Sequence, residues 1–404
     1  MRVRLLEMQT ESDSLLAGRQ IGRAAPESNL RGWAALLPLE PHALLDGLKQ
    51  SGIQVLRGGR GALALGSLAQ LWGGGRSLAD ALEKASGRSL AVELMLRSAL
   101  LESVAGKPGL GPSAGRMGDL QPPGWVLPRR ALPSGRTLVM GVVNVTPDSF
   151  SDGGRFLEPK AAVEHGLQLA GEGADLLDVG GESTNPFNST PVDAAEEIKR
   201  VEQVVRALAR QSGLPVSVDT TKAAVAAAAL DAGAEIVNDV SGLARDPAMA
   251  RLVADRGAAL VLMHMRGTPE SMQTRAVYDD LLGEVIGELE QGLTRAREAG
   301  VPEDHVCLDP GLGFAKTSAH NFTLLRRQRE LLQLGRPLLV GPSRKSFIGK
   351  ATGRAASERL HGTLSAVALA AYHGAAIVRV HDVASVKDVL AVADATRNDG
   401  AGLE

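Results

Sequence analysis

From Thr137 onward one pattern recurs along the chain. A short apolar, β-branched run ends in polar residues, a loop follows, then an amphipathic helix, then the next run. The runs occupy residues 138–143, 176–179, 216–218, 236–237, 260–263, 306–308, 338–340 and 377–380. Between the second and third, Val192, Ile198, Val201, Val204, Val205 and Leu208 recur at helical spacing. Acids and bases fill the opposite face, as in a helix laid on a sheet. Eight such units in about 270 residues predict a closed (β/α)8 TIM barrel over 137–404 rather than an open doubly wound sheet. The glycine loop that would favour the open sheet does not follow the first run.

Upstream the pattern changes. Residues 106–137 hold thirteen Gly or Pro in thirty-two. Proline lacks an amide donor and glycine raises the entropy lost on ordering, so neither helix nor central strand is expected there. We read 106–136 as a linker, part of which would pack as a lead-in to the barrel through Trp125 and Leu127. Residues 1–105 read as a smaller α/β or α+β domain. Strands are expected at 3–8, 53–57 and 62–65, and helices at 41–50, 78–85 and 90–104. No cluster of acids, histidines or phosphate-binding glycines marks an activity in it.

Composition narrows the class. Of 404 residues, 44% are hydrophobic and 22% charged, enough for a sizeable core. Forty-four basic against forty-six acidic residues give a net charge of −2, and aromatics are 3%. Neither a nucleic-acid binder nor a membrane-surface binder is expected on that balance. One cysteine, Cys307, leaves no intramolecular disulfide and fits a reducing compartment. With no signal-peptide pattern and no apolar run of about 18 residues, a cytoplasmic protein is expected.

In a barrel the C-terminal ends of the strands converge on one mouth. Those positions read Asn144, Asp178, Asp219, Asn238 with Asp239, His264 with Arg266, Asp309, Ser343 to Ser346, and Arg379 with His381. Any one of them could cap a helix. Desolvating so many polar groups without partners would cost several kcal/mol each, and a polar ligand is the cheaper explanation. Arg326, Arg327 and Arg329, by contrast, are expected on a solvated helix face. Asp219, Asn238 and Asp309 suit a heterocycle with paired N–H donors, such as a pterin or guanine. Lys345 and Arg379 supply donors for ring acceptors, and Arg379 could lie flat on the ring. Arg379, His381 and the amides opening a helix near Ser385 make an anion site. Asn144 offers a neutral oxygen to a hard cation such as Mg2+. Together these suggest displacement of a phosphate-type leaving group.

These residues resemble one family, the dihydropteroate synthases. The matching segments, in order, are MGVVNVTPDSFSDGG at 140–154, DVGGEST at 178–184, SVDT at 217–220, NDVSG at 238–242, MHMRG at 263–267, DPGLGF at 309–314, SRKSFIG at 343–349 and RVHD at 379–382. The resemblance covers residues 137–397. It implies condensation of p-aminobenzoate with (7,8-dihydropterin-6-yl)methyl diphosphate, giving 7,8-dihydropteroate and pyrophosphate. It also implies that Asp219, Asn238, Asp309 and Lys345 hold the pterin while Arg379 stacks on it, with Asp219, Lys345 and Asp309 as the catalytic set. Asn144, Arg379 and His381 would hold the diphosphate, with Mg2+ at Asn144. Thr184, Ser346, Phe150 and Pro186 would shape the p-aminobenzoate site, where sulfonamides would compete, under loops 145–156 and 183–192. A homodimer is usual for the family.

Three positions depart from the family pattern. Asn185 stands where an arginine is usual, followed by Phe187 in place of a small residue, which puts substrate affinity and sulfonamide response in question. Ala315 stands where a glycine is frequent, a change expected to have little effect. Two other readings stay open. A pterin-binding methyltransferase barrel would share the Asp/Asn set but would need neither the NVTPDSFSDGG loop nor the SRKS segment. A catalytically silent pterin-binding protein draws its support from Asn185.

Overall fold

The computed structural model describes residues 4–8, 32–38, 54–58, 61–66, 124–145, 158–182, 192–398 and 400. The chain divides into two compact units, Met1–Leu120 and Gln121–Glu404.

The first unit contains a four-stranded antiparallel sheet of β1 (Arg4–Met8), β2 (Gly32–Pro38), β3 (Gln54–Gly58) and β4 (Gly61–Gly66), in the order β1-β2-β4-β3. Three of these strands fall where the alternation places them. The strand β2 was not anticipated. Its WAALL core is uniformly apolar, and such a run carries no period by which strand and helix can be told apart. The helices expected at 41–50, 78–85 and 90–104 lie outside the described residues.

The second unit opens with a hairpin, β5 (Val126–Leu127) and β6 (Arg130–Ala131), followed by eight parallel strands. These are β7 (Leu138–Asn144), β8 (Leu176–Gly180), β9 (Val216–Asp219), β10 (Ile236–Asp239), β11 (Ala259–Met263), β12 (Val306–Asp309), β13 (Leu339–Val340) and β14 (Ile377–Val380). Each coincides with one of the apolar runs. They pair in the order β12-β11-β10-β9-β8-β7-β14-β13. A parallel bridge from Leu308 to Leu338 joins the two ends, and the Leu308 amide donates to the Pro337 carbonyl at 2.9 Å. The eight-stranded barrel is thereby nearly closed.

Around it run α1 (Glu158–Gly171), α2 (Ala194–Gln211), α3 (Ala223–Ala232), α4 (Met249–Arg256), α5 (Leu281–Glu298), α6 (Ser318–Arg326), α7 (Ser346–Thr352), α8 (Leu360–Tyr372) and α9 (Val383–Arg397). The helix α2 shows why. Asp193 caps its start, accepting from the Glu196 amide at 2.9 Å, and Val201, Val204, Val205 and Leu208 form the buried stripe against the sheet. Among the described residues no helix is long and apolar enough to cross a membrane.

Strand side chains alternate, so every second residue points into the barrel. The inward apolar tier is Leu138, Met140, Leu176, Ile236, Ala259, Val261, Cys307, Leu339 and Ile377. Its floor is the lead-in segment: Trp125, Leu127 and Leu132 belong to the same buried cluster, and the Trp125 indole donates to the His305 carbonyl at 2.8 Å. Residues 124–136 thus pack against the barrel.

The surface arginines divide. Arg326 is exposed at the end of α6. Arg327 is half-buried, its Nε 2.6 Å and Nη2 3.0 Å from the two Glu330 carboxylate oxygens, and Arg329 donates to the Tyr372 carbonyl. The expectation of one common solvated face is corrected, because the chain turns into a 3-10 helix at Gln328–Leu334 and rotates them apart.

Candidate active site

The site begins two residues above the apolar tier. Asp178, Asn238, Asp309 and Arg379 each follow an inward Leu176, Ile236, Cys307 or Ile377 by one strand repeat. They therefore point the same way, about 7 Å nearer the mouth. Asp219 ends β9 and lies beside Asn238 in register. The arrangement turns an oily barrel into a polar cup over a single repeat.

Asp178 is the hub of the cup. It is fully buried, and its Oδ2 accepts from Asn238 Nδ2 at 3.0 Å and from Arg379 Nε at 2.6 Å. Arg379 Nη2 donates to Asp219 Oδ2 at 2.8 Å. The second oxygen, Asp178 Oδ1, is buried with no hydrogen-bond partner among the described residues. In the sequence Asp178 stands among the strand ends and in the second motif, with no role assigned to it. The signal that could have found it is its position one repeat above Leu176.

Asp309 ends β12, and its Oδ1 accepts from the Gly311 amide at 2.7 Å. That turn requires glycine. Gly311 has φ of 68°, and a β-carbon there would lie 2.0 Å from the His264 carbonyl oxygen. Lys345 is half-buried, its ammonium 4.2 Å from the centre of the Phe314 ring. Burial pushes the Asp219 carboxyl above its ordinary range, opposed by Arg379 and reinforced by Asp178. Burial likewise raises Asp309, against the Gly311 amide and Lys345. The Lys345 ammonium is drawn down to about 8 by burial, which outweighs the pull of Asp309. Burial alone would lower Arg379, but Asp178 and Asp219 raise it. The cup therefore brings three carboxyl groups, one amide and two cations into a largely buried space.

At the rim, Asn144 is the exposed last residue of β7. His381 follows β14, its Nδ1 2.9 Å from Ser343 Oγ. The helix after it, α9, starts at Val383, two residues earlier than anticipated. Ser346 is the exposed first residue of α7. Asp239 belongs elsewhere: its carboxylate accepts from the Ser241 amide and hydroxyl and from the Leu243 amide, closing the turn after β10. Arg266 is also engaged away from the cup, with Glu284 and Glu288. Thr184, Phe150 and Pro186, like Asn185 and Phe187, lie outside the described residues.

A second buried network, unanticipated from sequence, adjoins Asp309. Lys316 is almost fully buried; its Nζ lies 2.9 Å from His264 Nδ1 and donates to the Phe314 carbonyl at 3.0 Å. His264 Nε2 faces Glu288 at 3.0 Å. Burial lowers Lys316 to about 7 and His264 to about 4. Next to Lys316, Ala315 adopts φ of 48°, in the left-handed region. An alanine in this conformation carries a modest backbone cost that a glycine would not.

This geometry, a barrel whose mouth holds a cup of buried acceptors with Lys345 and Arg379 among them, has the form of a small-molecule site. The pterin binding enzyme family model matches residues 140–381, and the chain belongs to that family. Among relatives, the dihydropteroate synthase of Mycobacterium leprae is 49% identical over 273 residues, 66% of this chain and 95% of that protein. The solved dihydropteroate synthase of Xanthomonas albilineans with 4-aminobenzoic acid is 46% identical, with a TM-score of 0.64 over 68% of this chain and 98% of that one. The Xanthomonas enzyme in complex with 7,8-dihydropteroate superposes at a TM-score of 0.62, 44% identical, over 68% of this chain and 99% of that one.

Proposed function

We infer that this chain is a dihydropteroate synthase, joining p-aminobenzoate to (7,8-dihydropterin-6-yl)methyl diphosphate with release of pyrophosphate. The observation that carries the reading is the cup itself. Asp178, Asp219, Asn238 and Asp309 converge with Lys345 and Arg379 at the barrel mouth, in a chain 49% identical to one such enzyme across 95% of its length.

In this reading Asp219, Asn238 and Asp309 accept from the amino and ring N–H groups of the pterin, and Lys345 donates to its acceptors. Arg379 is held at the side of the cup by Asp178 and Asp219, which supports a guanidinium presented to the ring and to the diphosphate beside it. The methylene C–O bond breaks and its electron pair leaves with the diphosphate. The neutral arylamine forms the C–N bond and sheds a proton. No side-chain nucleophile is required. The chain contributes positioning, anion stabilisation by Arg379 and His381, and exclusion of water. Thr184, Ser346, Phe150 and Pro186 are assigned to p-aminobenzoate by resemblance.

The donor set is compatible with Mg2+. Among the described residues no trio of His, Cys, Asp or Glu is placed to hold a metal. Mg2+ at phosphate sites takes one or two protein oxygens and fills its shell with water and substrate oxygens. Asn144 offers one such oxygen, and the bound ion would neutralise charge on the diphosphate. On family resemblance we also propose a homodimer, which sedimentation would test. The single thiol of Cys307 supports a cytoplasmic setting.

The test is pyrophosphate release by the purified protein from dihydropterin diphosphate, with and without p-aminobenzoate. Release that depends on p-aminobenzoate is expected. Methyl transfer without pyrophosphate, or tight pterin binding without turnover, would overturn the reading in favour of one of the two alternatives.

A further inference from the structure

We propose that Ser343 is a positioning residue that fixes the tautomer of His381, so that the imidazole presents a neutral Nε2–H donor to the diphosphate. The proposal rests on the functional reading above for the identity of the anion, but the hydrogen-bond argument is independent of it.

Ser343 is buried in the β13–α7 connection. Its Oγ accepts from the His381 backbone amide at 3.3 Å and lies 2.9 Å from His381 Nδ1. A hydroxyl has one proton to give, and Nδ1 is the acceptor within its reach among the described residues. The serine proton therefore goes to Nδ1, and the ring proton resides on Nε2. The opposite tautomer would leave a buried hydroxyl proton unpaired and turn a ring lone pair toward an anion.

The neutral state follows from the surroundings. Burial, together with Arg379 and Arg344, lowers the imidazole to about 4. Charge for the anion is already supplied by Arg379, so His381 serves as an oriented dipole rather than a second cation.

The backbone holds Ser343 rigidly in place. Arg344 adopts φ of 56°, in the left-handed region. Its amide donates to Thr363 Oγ1 at 3.0 Å, and its guanidinium grips Asp382 through Nε at 3.1 Å and Nη2 at 2.6 Å. Two adjacent ties, 343 to 381 and 344 to 382, thus lock the seventh loop to the eighth.

The experiment is nitrogen NMR of the 15N-histidine-labelled full chain at pH 7, with His381 assigned by its loss in His381→Gln. The wild-type protein is expected to show the Nε2–H tautomer at His381. In Ser343→Ala the signal should move toward a tautomer mixture, and KM for dihydropterin diphosphate should rise about tenfold, as expected for a weakened hydrogen bond to a charged group. Ser343→Thr, which keeps the hydroxyl, should restore both. An Nδ1–H tautomer in the wild type, or an unchanged tautomer in Ser343→Ala, would overturn the proposal. The wild-type measurement needs no variant to fold. If the enzyme fails to turn over the diphosphate while Nε2–H is observed, the functional reading falls and the Ser343 assignment stands.

Discussion

A single oxygen of Asp178 accepts from both Asn238 and Arg379, and the hydrogen-bonding potential of the cup turns on such shared atoms. Asp219→Ala removes the carboxylate that Arg379 shares with Asp178 and that the pterin would use. Turnover should fall at least a thousandfold, about 4 kcal/mol of transition-state stabilisation, while far-ultraviolet circular dichroism stays at the wild-type level. At Ala315 the left-handed φ of 48° costs about 1 kcal/mol that glycine avoids, partly offset by the greater freedom of glycine in the unfolded chain. Ala315→Gly should therefore be neutral to stabilising by up to about 1 kcal/mol, read from urea unfolding. Lys316 carries a pH signature. Its folded value of about 7 lies below its ordinary 10.5, so between these pH values the unfolded chain binds more protons than the folded one. Stability should then rise with pH from about 7 toward 10.5 and level off below, and Lys345 contributes in the same direction from about 8. Urea midpoints at pH 7 and pH 9 should differ less in Lys316→Met than in the wild type. Asp219, Asn238, Asp309 and Arg379 were legible as chemistry because polar residues ending apolar runs stand out. Lys316 was not, because a lysine in a glycine-rich loop looks solvated until the fold closes over it.

At the level of elements, the strands of the barrel were readable throughout, since each is an apolar run bounded by polar loops. What the pattern does not carry is how loops are tied to one another. The second loop offers an example. Glu182, at its start, accepts from the Val192 amide at its far end. Lys222, before α3, bridges Glu182 to Glu197, which is fully buried on α2. Removing the cation strands a buried carboxylate, so Lys222→Met should destabilise the protein by about 3 kcal/mol. The double variant Lys222→Met/Glu197→Met should cost less than the sum of the two single ones, which a double-mutant cycle in urea would show. The residues of this triad are separated by forty positions or fewer, yet no spacing rule joins them. In the first unit the converse holds: the WAALL core of β2 has no polar alternation to reveal a face.

Over the whole molecule, closure rests on short contacts at the seam and on the plug beneath. The seam is one bridge, Leu308 to Leu338, and the plug is Trp125 with its hairpin. Neither follows from periodicity. The seam joins strands that the helical crossover separates in sequence, and the plug comes from a stretch whose glycines and prolines read as a tether. Trp125→Ala would open a void under the interior tier and leave the His305 carbonyl without its donor, and should lower stability by about 3–5 kcal/mol. Denaturation followed by circular dichroism would detect the shift.

The sealed interior has one more consequence. The only thiol in the chain, Cys307, sits fully buried between this floor and the Asp309 tier. A thiol-specific dye mixed with the native protein should find nothing to label until the staves part. The rate of labelling would then be a clock for how often the barrel breathes open, read without any engineered probe.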